Sequence, residues 1–455
     1  MPTKKIFIVF DLGPGDGGKG GVVHKLTRHH NAHTVIKVGG AQGSHGVNNG
    51  SQKFAFSQWG CGTLEGVKTH ITQLMVISPE GLLNEAQSLK YSVGVTDAFD
   101  LMTVDERAIC ATPYHGIVSR IKEICRRDNP RGTIGTGMGE AFRDSTKHPT
   151  LTIRASDLAG DLRHKLELVR EQALAVADVA SCGGGFSEED LGILREEAAL
   201  LKDDGFLDHV VERFCEVGKL LNVVPVNYTK AIFDKDGVAV VDSSHGVLTD
   251  SKCGLVPHVS AIRTLPRFTY LMLRDAGFEG EIHSVGVHRA YSIRHGAGPL
   301  PTAQPNMNNK LLPGSHKKEN RWQGKVRVGP LDLVLLKFAI ATCGVTINSL
   351  AITWFDQILK NGTWQICRKY KNPDNRFFEN DGQIKVAYFE EELTAALFEC
   401  VPEISSIGDL PKSKEDLGRF CHKVLDEELG AFSVPVRFVS FGPTDQDKLL
   451  QGRLK

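Results

Sequence analysis

The stretch Phe10–Gly21, FDLGPGDGGKGG, decides how this chain is read. It follows an apolar, β-branched run, KIFIVF, and leads into VVHKLTRHH, whose apolar residues recur at helical spacing. Strand, glycine-rich turn and helix together form the arrangement in which backbone amides cradle phosphate at a helix N-terminus. Gly13, Gly18 and Lys19 fall on the G-x-x-x-x-G-K spacing of a P-loop, in which the lysine reaches the outer phosphates of a nucleotide. The residue that would carry the Mg²⁺-holding hydroxyl is Gly20, however, and an acid, Asp16, sits inside the loop. A P-loop without its hydroxyl needs another metal ligand, and an acid in an anion-binding loop needs a reason to be there.

Outward from this loop, HTVIKVGG reads as a second buried-type strand ending in glycines. QLMVISPEGLLNEAQSL reads as a strand followed by a helix that Ser78 caps and Pro79 begins. Alternation of this kind predicts an α/β fold with a mostly parallel central sheet covered by helices. From about 158 to 222 the pattern is helical and charged, with SEEDLGILREEAALL starting from a Ser187 cap, and is taken as a helical insertion. Strands are expected again at KAIF, VAVVD, SVGVHRAYSIR, SLAITWF and VPVRFVSFG. The segment 301–328 is rich in Asn, Gly, Pro and Lys, has little periodicity, and is expected to be a functional loop. It ends in Lys325 and Arg327, alternate positions just before the apolar run GPLDLVLLKFAIATCG.

With 455 residues a sizeable core is available, in one large domain or in two. Lys+Arg and Asp+Glu are both 54 and the net charge is +0, so neither a nucleic acid nor an anionic membrane surface is expected as a partner. The apolar run before Phe10 is too brief for a signal sequence, and no run approaches the roughly eighteen residues of a membrane span, so a cytosolic location is expected. Ten cysteines without a C-x-x-C pair are expected to be reduced thiols and not a disulfide frame or zinc site; Cys182, beside GGG, is the one candidate reactive thiol.

A second glycine-rich turn, GGAQGSHGV, follows the strand HTVIKV and holds His45. Loops at the ends of neighbouring parallel strands face one crevice, so Asp16 and His45 are expected to converge on one phosphate site. Acid and imidazole together point to acid–base chemistry coupled to phosphoryl transfer.

At this point the sequence resembles the adenylosuccinate synthetases, which join L-aspartate to IMP using GTP. Their Q-W-G-D-E-G-K-G-K loop is matched at Gly15, Asp16, Gly18, Lys19 and Gly20, and their Q-G-G-x-N-A-G-H-T by VGGAQGSHG. T-x-G-x-G-I-G-P-A-Y is similar to TIGTGMGEAF, K-A-Y-x-T-R-V-G-x-G-P-F-P-T to RAYSIRHGAGPLPT, T-K-L-D to TWFD and S-T-G-P to SFGP, all in the same order from Phe10 to Pro443. The resemblance implies one adenylosuccinate synthetase-like domain over 1–455 that acts in purine biosynthesis as a cytoplasmic homodimer on small-molecule substrates. Asp16 would be both the catalytic base and a Mg²⁺ ligand, with the backbone carbonyl of Ser44 completing the protein's metal contacts. Lys19 and His45 would be its catalytic partners. The nucleotide would be held by Gly15, Gly18, Gly20, Trp354, Asp356, Ser440, Gly442 and Pro443, the purine monophosphate by Thr133, Gly135, Ser260 and Arg294, and the amino acid by Lys325 and Arg327 of the acid-binding loop at about 301–328.

The departures cluster around the purine and the amino acid. Gly17 replaces a glutamate, Trp354 a lysine, and Lys325 and Arg327 a pair of arginines; Gly237 falls where the family's F-E-G-A-Q-G has its glutamine, and Lys147 is the candidate stand-in for an arginine from the partner subunit. Two alternatives follow: a dGMP-specific enzyme of the diaminopurine branch, against which Asp16 argues, and a catalytically weak nucleotide-binding regulatory paralogue.

Overall fold

The computed structural model describes residues 4–177, 184–312, 319, 321–371, 373–387 and 391–454. Strands of the central sheet are β1 (Lys4–Asp11), β2 (Thr34–Gly40), β3 (Lys68–Ile77), β4 (Met102–Asp105), β5 (Val223–Val224), β6 (Gly237–Gly246), β7 (Glu281–Arg289), β8 (Ser349–Thr353), β9 (Val436–Ser440) and β10 (Lys448–Leu450). Their spatial order is β10-β9-β8-β7-β1-β6-β2-β3-β4-β5, with the short strand Ile109–Cys110 also paired to β3. Every pairing is parallel except that of β9 with β10.

This order explains the apolar strands. β1 lies between β6 and β7, with Ile8 opposite both Val241 and Ser284, so both of its edges are paired. Ile6, Ile8 and Phe10 join the core on one face with Leu333, Val334 and Leu336, while Phe7 and Val9 join the core on the other with Val22, Leu26 and Phe438. The period-2 alternation of a strand thus serves two cores at once. Because the strands run parallel, the loops after β1, β2, β6, β7, β8 and β9 leave from one edge of the sheet, which is where ligands bind in folds of this type.

The region from 158 to 222 contains the helices Arg163–Val176, Glu188–Leu200 and Asp204–Leu220, packed through Leu166, Leu194 and Phe214. Ser187 caps the second of these, and Ser78 caps the helix Pro79–Val93, as their sequences predicted. KAIF is not a strand. It belongs to the helix Asn227–Phe233, where Thr229, Ile232 and Phe233 are buried and Lys230 pairs with Asp234 one turn on; a short apolar run does not by itself distinguish the two periods. Within the segment 301–328, Pro305–Leu311 is helical, and Arg327 opens a strand, Arg327–Gly329, that pairs antiparallel with Ser292–Arg294.

Eight of the described cysteines are free thiols, whereas Cys125 is disulfide-bonded, contrary to the fully reduced set expected from the absence of C-x-x-C, a pattern that reports only on local pairs. Cys182 lies outside the described residues. No helix among the described residues is long and apolar enough to cross a membrane.

Candidate active site

The phosphate loop is built on an acid that the sequence reading passed over. Asp11, the last residue of β1, is buried and accepts hydrogen bonds from the amides of Gly13 (2.7 Å) and Gly17 (2.6 Å), and its Oδ2 lies 3.2 Å from the Lys19 ammonium. The loop is therefore folded around a carboxylate that neutralises its own lysine. This geometry accounts for Gly17: a Cβ there would lie 2.4 Å from Asp11 Oδ2, so the larger side chain of the related loops cannot coexist with Asp11 in this position. Gly15 (φ 111°) and Gly18 (φ 88°) take left-handed backbone, and Gly18 caps the helix Lys19–His29. At Gly20 a Cβ would lie 2.7 Å from the carbonyl oxygen of Gly46, so the turn carrying Ser44 and His45 packs directly on the start of that helix. The expected convergence of the first two loops is observed. Asp16 itself is left-handed (φ 59°), with its carbonyl accepting from Arg289 Nε (2.5 Å) and its carboxylate paired with His295.

His45 is buried, and its Nδ1 lies 2.6 Å from Asp242 Oδ1. A carboxylate only accepts, so Nδ1–H is the donor and Nε2 is left to face a substrate. Asp242 also receives Lys37 Nζ (3.2 Å) and Cys61 Sγ (3.3 Å) at its other oxygen. Burial works against its charge, but His45 and Lys37 more than offset that and hold the carboxyl far below its usual range. Burial lowers the pKa of His45, and the charges of Lys37 and Lys19 add to the effect against the pull of Asp242. The pair is thus an imidazole oriented by an anion that Lys37 also balances. His45, Cys61 and Asp242 lie close enough to hold a cation, but Lys37 already shares the carboxylate, so a metal there would meet an ammonium.

On one side of this centre, β8 and β9 end in Thr353-Trp354-Phe355-Asp356 and Ser440-Phe441-Gly442-Pro443, which touch through the rings of Phe355 and Phe441 (5.8 Å). Asp356 is in the first turn of the helix Phe355–Asn361, where Gln357 Nε2 donates to it at 2.6 Å and Lys360 lies at 3.6 Å. Ser440 Oγ donates to the Gly442 carbonyl (3.0 Å), and Lys448, whose pKa burial pulls down to about 8, donates to the carbonyls of Pro443 (2.9 Å) and Thr444 (2.5 Å). Trp354 has φ 59° and its ring lies under the Arg289 guanidinium, 4.3 Å from centroid to Cζ.

On the other side, Arg294 is fully buried, donates to the carbonyl of His258 (2.9 Å), and stands opposite Arg327 across the two-stranded ribbon. Burial and the neighbouring Arg327 charge bring its pKa down to about 9. Arg327 donates to the carbonyls of Gly296 (2.7 Å) and Gly298 (2.5 Å). Two desolvated guanidiniums with no carboxylate paired to either among the described residues form a local excess of positive charge suited to an anion. Asp11, Gly13, Gly17, Arg289, Arg294 and Pro299 line one small pocket, so Arg294 of this pair shares a pocket with the phosphate loop. Thr133 and Gly135 sit beside it: Thr133 Oγ1 contacts Ser119 Oγ at 3.0 Å, Gly135 accepts from Arg120 (2.8 Å), and a Cβ on neighbouring Gly132 would lie 3.0 Å from Gly296 Cα. Ser260 follows the His258 carbonyl that Arg294 holds and is fixed through its amide to the Thr249 carbonyl (2.8 Å).

Two sequence expectations are placed elsewhere. Lys325 precedes the ribbon strand, is 77% exposed and lies 3.7 Å from Glu319, so it does not project with Arg327; the neighbour of Arg327 is Arg294. Gly237 pairs with Lys4 at the start of β6, the end of the sheet away from the phosphate loop. Lys147 is the exposed last residue of the helix Met138–Lys147. What the crevice contains in place of Gly237 is the far end of β6, where Asp242 and His245 lie. His245 has φ 64°, an occluded Nε2 without a hydrogen-bond partner, and a pKa lowered to about 4 by burial and by the charges of Lys19 and His45. VVDSSHG, an apolar strand breaking into polar residues, was the available signal for both.

Fold and site together define an α/β phosphate-transfer protein with a modified P-loop whose carboxylate and imidazole face one crevice. The comparisons narrow this. Residues 8–449 match the adenylosuccinate synthetase family. Adenylosuccinate synthetase from Clostridium botulinum (strain 657 / Type Ba4) is 28% identical over 371 residues, 80% of this chain and 81% of that protein; the one from Clostridium novyi (strain NT) is 26% identical over 467 residues, 98% and 99% respectively. Among solved structures, fully ligated adenylosuccinate synthetase from Plasmodium falciparum superposes with a TM-score of 0.76 at 16% identity, covering 99% of this chain and 100% of that one. Succinoaminodeoxyadenylate synthetase of cyanophage S-2L, bound to dGMP and dATP, gives 0.58 at 14% identity, with 99% and 97% covered. The chain belongs to the adenylosuccinate synthetase family, and it is a ligase that forms carbon–nitrogen bonds.

Proposed function

We propose that this ligase joins L-aspartate to C6 of IMP with GTP as phosphoryl donor, in the cytosol and as a homodimer. The observation that carries the reading is an acid, Asp16, in a phosphate-binding loop packed at Gly20 against the turn that holds His45, an imidazole that a buried anion orients. Asp16 removes the proton from purine N1, and the resulting O6 oxyanion attacks the γ-phosphorus of GTP, releasing GDP. The amine of aspartate then adds at C6 and phosphate leaves, giving the succino-nucleotide. Lys19 and the loop amides hold the donor phosphates. His45, whose pKa burial lowers in the free protein, is protonated beside a phosphate whose negative charge outweighs Lys37 and Lys19, and donates from Nε2 to the transferring oxygens. Asp356 and the turn Ser440–Pro443 supply acceptors for the guanine edge, and the Arg294–Arg327 pair supplies the charge for substrate anions.

Mg²⁺ fits this donor set, because the Asp16 carboxylate and the Ser44 carbonyl are hard oxygen ligands on segments that pack together at Gly20. Bound there, it would neutralise charge on the donor phosphates.

The test is incubation with GTP, Mg²⁺ and L-aspartate plus either IMP or dGMP, with mass detection of the product. Succino-nucleotide from IMP is expected. Product from dGMP alone would reassign the purine, and product from neither would overturn the reading.

A further inference from the structure

We infer that Trp354 and Arg289 form a clamp that holds the backbone of Asp16, so that Trp354 is a positioning residue for the chemical step and not a platform for the nucleotide base. The inference rests on the reading of Asp16 as the base. A left-handed residue other than glycine is uncommon even when it is an aspartate, and its surroundings help to hold it there. At Asp16 (φ 59°) those surroundings are identifiable. Asp11 ties the amides of Gly13 and Gly17 on either side, Thr353 Oγ1 donates to the Gly17 carbonyl, and Arg289 Nε donates to the Asp16 carbonyl at 2.5 Å.

Arg289 is 2% exposed, and among the described residues no carboxylate forms an ion pair with it. Two other contacts fix its guanidinium: Nη1 donates to the Tyr291 hydroxyl (2.8 Å), which donates on to the Leu311 carbonyl (3.1 Å), and the face of the plane lies 4.3 Å over the Trp354 ring. Trp354 in turn is left-handed (φ 59°), which turns its indole back toward the loop, and a Cβ on Gly18 would come within 3.1 Å of its Nε1. The ring is therefore wedged between the arginine that grips Asp16 and the glycine that starts the phosphate helix. An aromatic face stabilises a desolvated guanidinium without offering a competing acceptor, which leaves Nε directed at the Asp16 carbonyl.

The experiment compares W354L, W354F and R289K in the succino-nucleotide assay and by calorimetric titration with GTP. W354L is expected to lower kcat by about 10- to 100-fold, the effect of misplacing a reacting group by about an ångström, while the KM and Kd for GTP stay within about twofold. W354F restores a ring face and should recover most of that loss. R289K should resemble W354L, because an ammonium has no planar fork to serve Asp16 and Tyr291 while stacked. The clamp is overturned if W354L weakens GTP binding at unchanged kcat, the signature of a base platform, or if W354F is as impaired as W354L. A wild type that forms no succino-nucleotide would overturn the reading of Asp16 instead, and the GTP titration of W354L still separates clamp from platform.

Discussion

At the scale of single residues the site depends on carboxylates whose surroundings give them different tasks. Asp11 is enclosed and serves the loop, Asp242 is enclosed and orients His45, and Asp16, about a third exposed, is the one placed to meet a substrate. Asn tolerates left-handed backbone as Asp does, so D16N should keep its thermal midpoint while turnover falls by roughly 10²–10⁴-fold, since an amide cannot take the N1 proton. Unaltered turnover in D16N would show that the base lies elsewhere. For Asp242 the expectation is opposite in kind. D242N leaves the Lys37 ammonium uncompensated in a fully buried place, and urea unfolding should show a loss of about 3–5 kcal/mol. Adding K37M should recover part of that loss without recovering activity, because His45 stays unoriented. Of these residues, sequence pattern disclosed Asp16, Lys19 and His45, which occupy glycine-rich turns. Asp11, the last residue of its strand, was passed over although Gly13, Gly17 and Lys19 are near it in sequence, whereas the importance of Asp242 comes from Lys37 and His45, partners at long range that no local spacing records.

At the scale of elements, local chemistry was readable wherever a helix begins with its own cap. Ser78 and Ser187 do what their positions predicted, whereas KAIF shows that four apolar-rich residues fix no period. One cap matters beyond its helix. Asp332 accepts from the amides of Val334 and Leu335 (3.1 Å each) at the start of the helix Leu333–Thr342 and from the Tyr370 hydroxyl (2.8 Å), and burial pushes its carboxyl up to about 6. D332A removes the cap and strands a buried phenol, so chemical denaturation should register a loss of about 2–4 kcal/mol. D332N, which keeps an acceptor, should lose less. An equal loss in the two variants would mean that the cap contributes little.

At the scale of the whole molecule, buried histidines set how the fold responds to acid. His70 bridges Thr103 and Thr229 (2.9 Å each), and burial lowers its pKa to about 4; His30 and His245 are lowered to about 4 as well. The unfolded chain binds these protons from about pH 6.5 downward and the folded one does not, so stability is complete above 6.5 and falls as pH drops toward 4. Asp332 acts in the opposite sense, because its folded pKa is raised and its contribution is lost as pH rises through about 6. His70 alone accounts for about 3 kcal/mol over its window. Urea midpoints at pH 6.5 and 4.5 should therefore differ less in H70Q than in wild type, and an equal difference would remove His70 from the account. The alternation of strands and helices announced the parallel sheet, but not its order. That order brings β1 against β6 and β7 and so assembles a crevice from residues as distant as Asp11, Asp242 and Arg289.

The two margins of that sheet have a consequence for solubility. An uncovered parallel strand presents a row of unpaired amides and carbonyls that can recruit the same strand of another copy. Here one margin is only two residues long, Val223–Val224, and the other is closed by Lys448–Leu450 running in reverse along Phe438, Val439 and Ser440. The strand that ends in Ser440 is thereby shielded from edge-to-edge aggregation by a three-residue strip, so damage to that strip would open this margin of the sheet to self-association of the chain.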